Sequence, residues 1–352
     1  MKTNYNKTFD IINFLRFPLI VGVVFIHSLV LENENYTVYS FLLKFISNTI
    51  CSISVPLFFF FSGYLFFYSS NNYNLNFFVG KLKRRIKSLV FPYLFWNLFC
   101  VIVIFVCQLL FPQLFSGNFV HIRDFTLTDW VSCFWCALGT DKPIAFQLWF
   151  LRDLIIISFF LSFIIFYLNK YFKIYWLCIL FVLYIIDINI FVGVGFNPTI
   201  SIFYFSLGAY LSQNSFPLTT NNNLTLIILF ISYVIGIILE FVLPEDFQLF
   251  IHRINVLIGC SLVIFISNYL SFSKTINKKI SNSSFFIYCY HGIFSLFIIK
   301  IISMMHLVQN DFTAVFYYLL IPIVIILIGV LAFNLLNYAL PSFTRFIVGG
   351  RN

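Results

Sequence analysis

The sequence predicts an all-α fold: a polytopic membrane bundle of about ten transmembrane helices, with both termini on the cytoplasmic side. Three observations carry this expectation. Of 352 residues, 61% are hydrophobic and only 9% charged, whereas a soluble domain carries about a quarter charged residues. Apolar runs of spanning length recur between short polar breaks. The basic residues gather on alternate connections. So little polar side chain excludes an ordinary cytosolic enzyme, a disordered chain and a secreted disulfide scaffold, and residues 1–352 read as a single integral domain.

The runs lie near 11–31, 45–68, 89–111, 148–168, 174–192, 200–213, 224–243, 247–270, 283–305 and 313–340. The second is expected to reach back toward Tyr39, and the sixth is short. The first is long enough to span and has no small-residue cleavage site, so it reads as a span and not as a signal peptide. An even number of spans returns both termini to one side. With that side inward, the inner segments carry fourteen Lys and Arg residues, the outer ones only Arg123 and Lys142. That asymmetry orients the chain. It also accounts for the net charge of +9: the positive charge faces anionic lipid and is not a nucleic-acid footprint. The 51 Phe residues are too many for any single one to be given a role from the sequence.

The one long outer connection, about 112–147, holds Trp130 and Trp135 and is expected to lie on the membrane surface or cap a cavity. Six of the eight cysteines fall inside spans, where they act as small apolar groups. Cys133 and Cys136 form a CxxC in the outer connection. Chance spacing on a surface helix, a disulfide, or a metal site with His121 would each produce it. No metal site is assigned.

Ionisable side chains within spans are expensive and point to function. Arg16 and His27 are eleven residues apart in the first span. That is about three helical turns, which puts both on one stripe about 16 Å apart along the axis. The stripe offers a permanent cation near the inner surface and a proton-transfer group deeper in. The plain alternative is an Arg reaching to headgroups and a His bonded to a neighbouring helix. In the ninth span Ser284, Tyr288, His291 and Ser295 also share one stripe, which suits either a cavity or a ladder of bonds between helices. Arg152, Asp153, Glu240, His252 and Arg253 gather toward the outer half, as mutual ion pairs or around a wet pocket. The segment KLKRRIKSLVFPY is the densest basic run. It serves as a topology determinant, as a phosphate clamp at the inner mouth, or as both.

These residues resemble the acyltransferase 3 family of integral-membrane acyltransferases. Arg16-x10-His27 is similar to the family's first-span motif. Four further stretches resemble it in the right order: SVPLFFFFSGYLF (54–66), KRRIKSLVFPYLFWN (83–97), LWFL (148–151) and FIYCYH (286–291). The sequence also departs from the family. Many members carry an Arg-x-x-Arg pair in the basic loop, where this chain has Arg85-x-x-Ser88 and Arg84-x-x-Lys87. No Glu follows the span-four Trp in the family's register, Asp153 being close but displaced.

The resemblance implies an O-acyltransferase of the cell inner membrane. It would move an acyl group, by default acetyl from acetyl-CoA, to a hydroxyl of a carbohydrate or lipid-linked glycan, with no bound cofactor. The expected donor site is Arg16, Arg84, Arg85 and Lys87. His27 is expected as general base or as acyl carrier, with Tyr288 or His291 as oxyanion donors and Glu240 or Asp153 orienting an imidazole. A glycan flippase or proton-coupled transporter is the competing class; against it, the chain has no visible inverted repeat. Oligomeric state has no signal in the sequence.

Overall fold

The computed structural model describes residues 2–30, 36–68, 73–112, 120–188, 198–219, 222–268 and 274–350; side chains are described from residue 7, except that of Leu138, and within the last stretch from residue 280. Among the described residues there is no strand. Helix α1 is Lys2–Ile26. Helix α2, Thr37–Leu42, runs through a widened π-helical stretch, Leu43–Ile50, and a tight turn, Cys51–Ile53, into α3, Ser54–Phe67. Together they form one apolar span, Thr37–Phe67. Pro56 explains the tight turn ahead of α3, because it has no N–H for the Ser52 carbonyl four residues back.

The basic run expected as a loop is helical. Helix α4, Leu75–Arg85, starts at Asn74, whose side chain accepts from the Phe77 N–H, and its Leu, Lys and Arg residues are good helix formers. A second π-helical stretch, Ile86–Val90, joins it to α5, Phe91–Leu110, where Pro92 again withholds an N–H. The whole segment is 36 residues, about 54 Å at 1.5 Å per residue. It is longer than a bilayer core, so its basic beginning has room outside the apolar layer.

Among its described residues the outer connection carries one short α-helix, α6 (Leu127–Ser132). The remaining elements are α7 (Trp149–Ile156), α8 (Ser162–Tyr171), α9 (Lys173–Ile186), α10 (Thr199–Gln213), α11 (Asn223–Val242), α12 (Glu245–Ile266), α13 (Lys274–Met304), α14 (Asp311–Ala339) and α15 (Pro341–Ile347). Eight segments among the described residues are long and apolar enough to cross a membrane. The fifth and sixth expected spans are present as helices but fall short: α9 has 14 residues and α10 has 15. Asp187 in the left-handed conformation ends α9, and 189–197 lies outside the described residues.

Helix α1 is central and packs on α13, α3 and α14. Helices α3 and α10 cross closest. A Cβ on Gly63 would strike the Phe205 carbonyl, and one on Gly208 the Phe60 carbonyl, so both backbones meet directly. Helix α15 lies along α5, where the Trp96 indole donates to the Ile347 carbonyl at 3.0 Å. Of the fourteen inner cations, Arg351 and the side chains of Lys2, Lys274, Lys278 and Lys279 lie outside the described residues.

Candidate functional site

Helices α1 and α13 run side by side in the same direction. Near their beginnings Ser281 donates to the Asn13 carbonyl at 2.9 Å. Ten residues further along α13, the His291 ring centre is 5.4 Å from that of His27. The parallel pairing thus brings His27, at the end of the first stripe, beside His291 of the second.

Between these levels lies a cavity of about 310 Å³. Its polar end has Arg16, Arg85, Ser62, Ser281 and Asn282; its walls are Ile20, Phe58, Phe150 and Leu154; Tyr288 lies at the far end. His27 and His291 are not in the lining, but His291 is three residues beyond Tyr288, a rise of about 4.5 Å. Ser284 lines the cavity and its hydroxyl is buried without a partner. Arg16 makes no hydrogen bond or ion pair among the described residues. Both are free to meet a ligand.

Of the four expected donor-site cations, the structure brings two together. Arg85 lines the cavity, gripping Ser62 through its hydroxyl at 2.9 Å and its carbonyl at 3.1 Å. Arg84 and Lys87 are exposed and outside the cavity lining. Helical geometry forces this division, because neighbouring residues point about 100° apart and only one of Arg84 and Arg85 can face inward. Lys81 supports the same wall, donating to the Leu65 carbonyl at 3.0 Å.

His291 is fully buried. Its Nδ1 is 2.7 Å from the Tyr288 carbonyl and 3.2 Å from that of Ile287. A carbonyl can only accept, so in the neutral ring Nδ1 carries the proton and Nε2 carries a lone pair. Nε2 has no partner. The Tyr288 hydroxyl donates to the Gln147 carbonyl at 2.8 Å, and the Gln147 amide donates to the Cys289 carbonyl at 2.6 Å. The protons of both expected oxyanion donors are therefore already committed.

His27 sits just past the end of α1, half-buried, its ring 5.1 Å from Phe146 and unbonded among the described residues. Neither expected carboxylate touches it. Asp153 is held by Arg152 through Nε and Nη2, each at 3.1 Å, while Nη1 of Arg152 clasps the outer connection at the Trp135 and Asp141 carbonyls. Glu240 accepts from Thr49 and Asn255 at 2.9 Å each and faces His252 at 3.3 Å. Arg253 pairs with Asp187 at 2.6 Å. The outer-half charges are thus mutual ion pairs, and neither Asp153 nor Glu240 bonds His27 or His291; the imidazole that Glu240 faces is that of His252.

The outer connection closes over this end. The Tyr93 hydroxyl donates to the Phe134 carbonyl at 2.6 Å, and Asn97 Oδ1 accepts from the Ala145 N–H at 3.3 Å. No disulfide joins Cys133 to Cys136, and among the described residues no cluster of His, Cys, Asp or Glu is placed to hold a metal. Burial pushes the Cys133 thiol up to about 11. Sequence reasoning missed Ser62, Phe146 and Gln147. Ser62 was visible as the polar position in the SGY segment, and Gln147 as the polar residue opening the fourth span.

A family model described as an acyltransferase domain matches residues 9–345. No curated protein and no solved structure matches the chain. Because the match covers nearly all of the helical bundle, including both stripes and the cavity between them, the chain belongs to the acyltransferase 3 family of membrane acyltransferases.

Proposed function

We propose that the protein transfers an acyl group, acetyl by default, from acyl-CoA to a hydroxyl of a cell-surface or secreted glycan, either a carbohydrate or a lipid-linked one. The observation that carries this reading is the cavity with two guanidinium groups at one end, an apolar middle, and an imidazole pair one turn beyond its far end. Acyl-CoA combines phosphates with a long, narrow arm ending in a thioester. Arg16 and Arg85 suit the phosphates, and the Phe-lined middle suits the arm. The one-sided basic residues orient the Arg end toward the cytoplasm, where acyl-CoA resides, in the inner membrane.

A sugar hydroxyl has a high pKa and must lose its proton as it attacks the thioester carbon. A neutral imidazole is suited to take it. His27 and His291 together form the proton-handling end of the site. Tyr288, its own proton committed, lines the cavity at the end next to them.

The test is chemical. Surface and secreted glycans are compared by mass spectrometry in cells with the wild-type protein, with His27→Ala, and without the gene. Ester-linked acyl groups are expected only with wild type. Equal acylation in all three removes the reading for that glycan, and altered export with unchanged ester content moves the protein to the transporters.

A further inference from the structure

We propose that His291, and not His27, removes the proton from the acceptor hydroxyl, with Gln147 as the residue that positions it and His27 as the hydrogen-bond donor to the reacting carbonyl. The inference rests on the acyl-transfer reading above and assigns roles within it.

The argument starts from which atoms still have something to give or take. His291 Nδ1 is fixed against the Tyr288 carbonyl at 2.7 Å, so its proton is spent and its free nitrogen is an acceptor. That nitrogen, Nε2, is buried and unpartnered. Gln147 Oε1 is also buried and unpartnered, and it lies so close to Gly292, the residue after His291, that a Cβ there would collide with it. Two buried acceptors, one on His291 and one packed on the next residue of α13, are thus both unpaired. A ligand that satisfies them must bring protons, and hydroxyl groups do. Leaving such atoms unpaired is costly, so the arrangement favours a bound proton donor.

His27 is different. No hydrogen bond fixes its tautomer, and its ring centre is 5.4 Å from that of His291 without a direct bond between the rings. One N–H of a neutral imidazole is always available to donate. A hydroxyl oxygen at the edge of the two rings would give its proton to His291 Nε2. The thioester oxygen would take a hydrogen bond from His27 as negative charge develops on it.

The step balances as follows. The hydroxyl proton passes to His291 Nε2 while the oxygen forms a bond to the acyl carbon. The C–S bond then breaks, and its electron pair leaves on sulfur as the CoA thiolate. The proton on His291 passes to that thiolate, restoring the neutral ring and releasing free CoA and the ester.

Gln147 serves the pair indirectly. Its amide holds the Cys289 carbonyl at 2.6 Å and its own carbonyl receives the Tyr288 hydroxyl at 2.8 Å, which pins the turn of α13 that fixes the His291 tautomer.

The experiment compares two acceptors. Purified protein in lipid nanodiscs is given radiolabelled acetyl-CoA with either glycan-bearing membranes from cells lacking the gene, or hydroxylamine, a nucleophile that needs no base. The readouts are alkali-labile label on glycan and acetyl hydroxamate above the no-protein rate. His291→Asn keeps an amide where Nδ1 was and has no base. It should lose glycan transfer by about 100-fold or more and keep hydroxamate formation within about threefold of wild type. His27→Ala should lose both, because both need the developing oxyanion stabilised. Gln147→Leu, which leaves both imidazoles present, should lower glycan transfer several-fold more than hydroxamate formation. The assignment is overturned if His291→Asn leaves glycan transfer intact, if it depresses both acceptors equally in well-folded protein, or if His27→Ala alone spares hydroxylamine. Wild-type protein that acylates neither acceptor overturns the acyl-transfer reading itself, and this inference with it.

Discussion

Replacing Arg85 with alanine should weaken acyl-CoA binding by about 10- to 100-fold. The magnitude follows from the geometry. The guanidinium is half-buried at the polar end of the cavity and held by two bonds to Ser62, so it is already oriented before a ligand arrives. A hydrogen bond to a charged group contributes about 1.5–3 kcal/mol, and about 1.4 kcal/mol corresponds to tenfold in affinity. Little of this is repaid or worsened within the protein: Ser62 faces the cavity, so its freed oxygens can meet water. Arg84→Ala is the matched control. It removes the same charge one residue away, but from an exposed side chain outside the cavity, and should cost less than about threefold. Arg85→Lys keeps the charge and loses the two-pronged grip, and should fall between. The assay is equilibrium binding of radiolabelled acetyl-CoA to protein in nanodiscs, at low and high salt. If Arg84→Ala weakens binding as much as Arg85→Ala, the inward choice between the two is wrong. If neither does, the cavity is not the donor site.

Arg152→Met should destabilise the protein by about 3–5 kcal/mol, because it strands the buried Asp153 carboxylate and frees the outer connection; Arg152→Met with Asp153→Leu should melt higher in detergent than the single variant, and the opposite order would contradict the pairing. Glu240→Leu should lower the melting temperature through loss of its bonds to Thr49 and Asn255, yet leave turnover per folded molecule within about twofold; a specific loss of turnover would return Glu240 to the catalytic set. Cys133, with its thiol pushed up to about 11, is protonated at neutral pH. Its alkylation should be slow near pH 7 and rise about tenfold per pH unit until that value is approached, a profile readable by mass spectrometry in a Cys136→Ser background; fast labelling at pH 7 would show a reactive thiol.

Local regularities made much of this site legible. The eleven-residue spacing of Arg16 and His27 and the stripe from Ser284 to Ser295 follow from the helical period alone, and the structure sets the two stripes side by side. What the sequence left open depended on contacts between distant segments. Whether Arg84 or Arg85 faces inward depends on how α4 packs against Ser62. The partners of Glu240 are set by helix packing, and Asp187, which completes the pair with Arg253, lies just past the end of α9. Gln147 gains its role only because its turn docks on α13, and no periodicity marks that contact. The shortness of α9 and α10 was hidden because apolar content measures burial in lipid or protein alike, and not whether a helix is long enough to cross.

The meeting of backbones at Gly63 and Gly208 reaches beyond packing. Gly63 follows Ser62, the anchor of Arg85, so the spacing between α3 and α10 also sets the aim of the Arg85 guanidinium. Helix α10 carries no candidate catalytic group, yet a methyl added at Gly208 would push that anchor aside. Under the proposed function, a genetic screen for cells that need more acyl-CoA for surface acylation should therefore recover Gly208 substitutions alongside changes to Arg16 and Arg85.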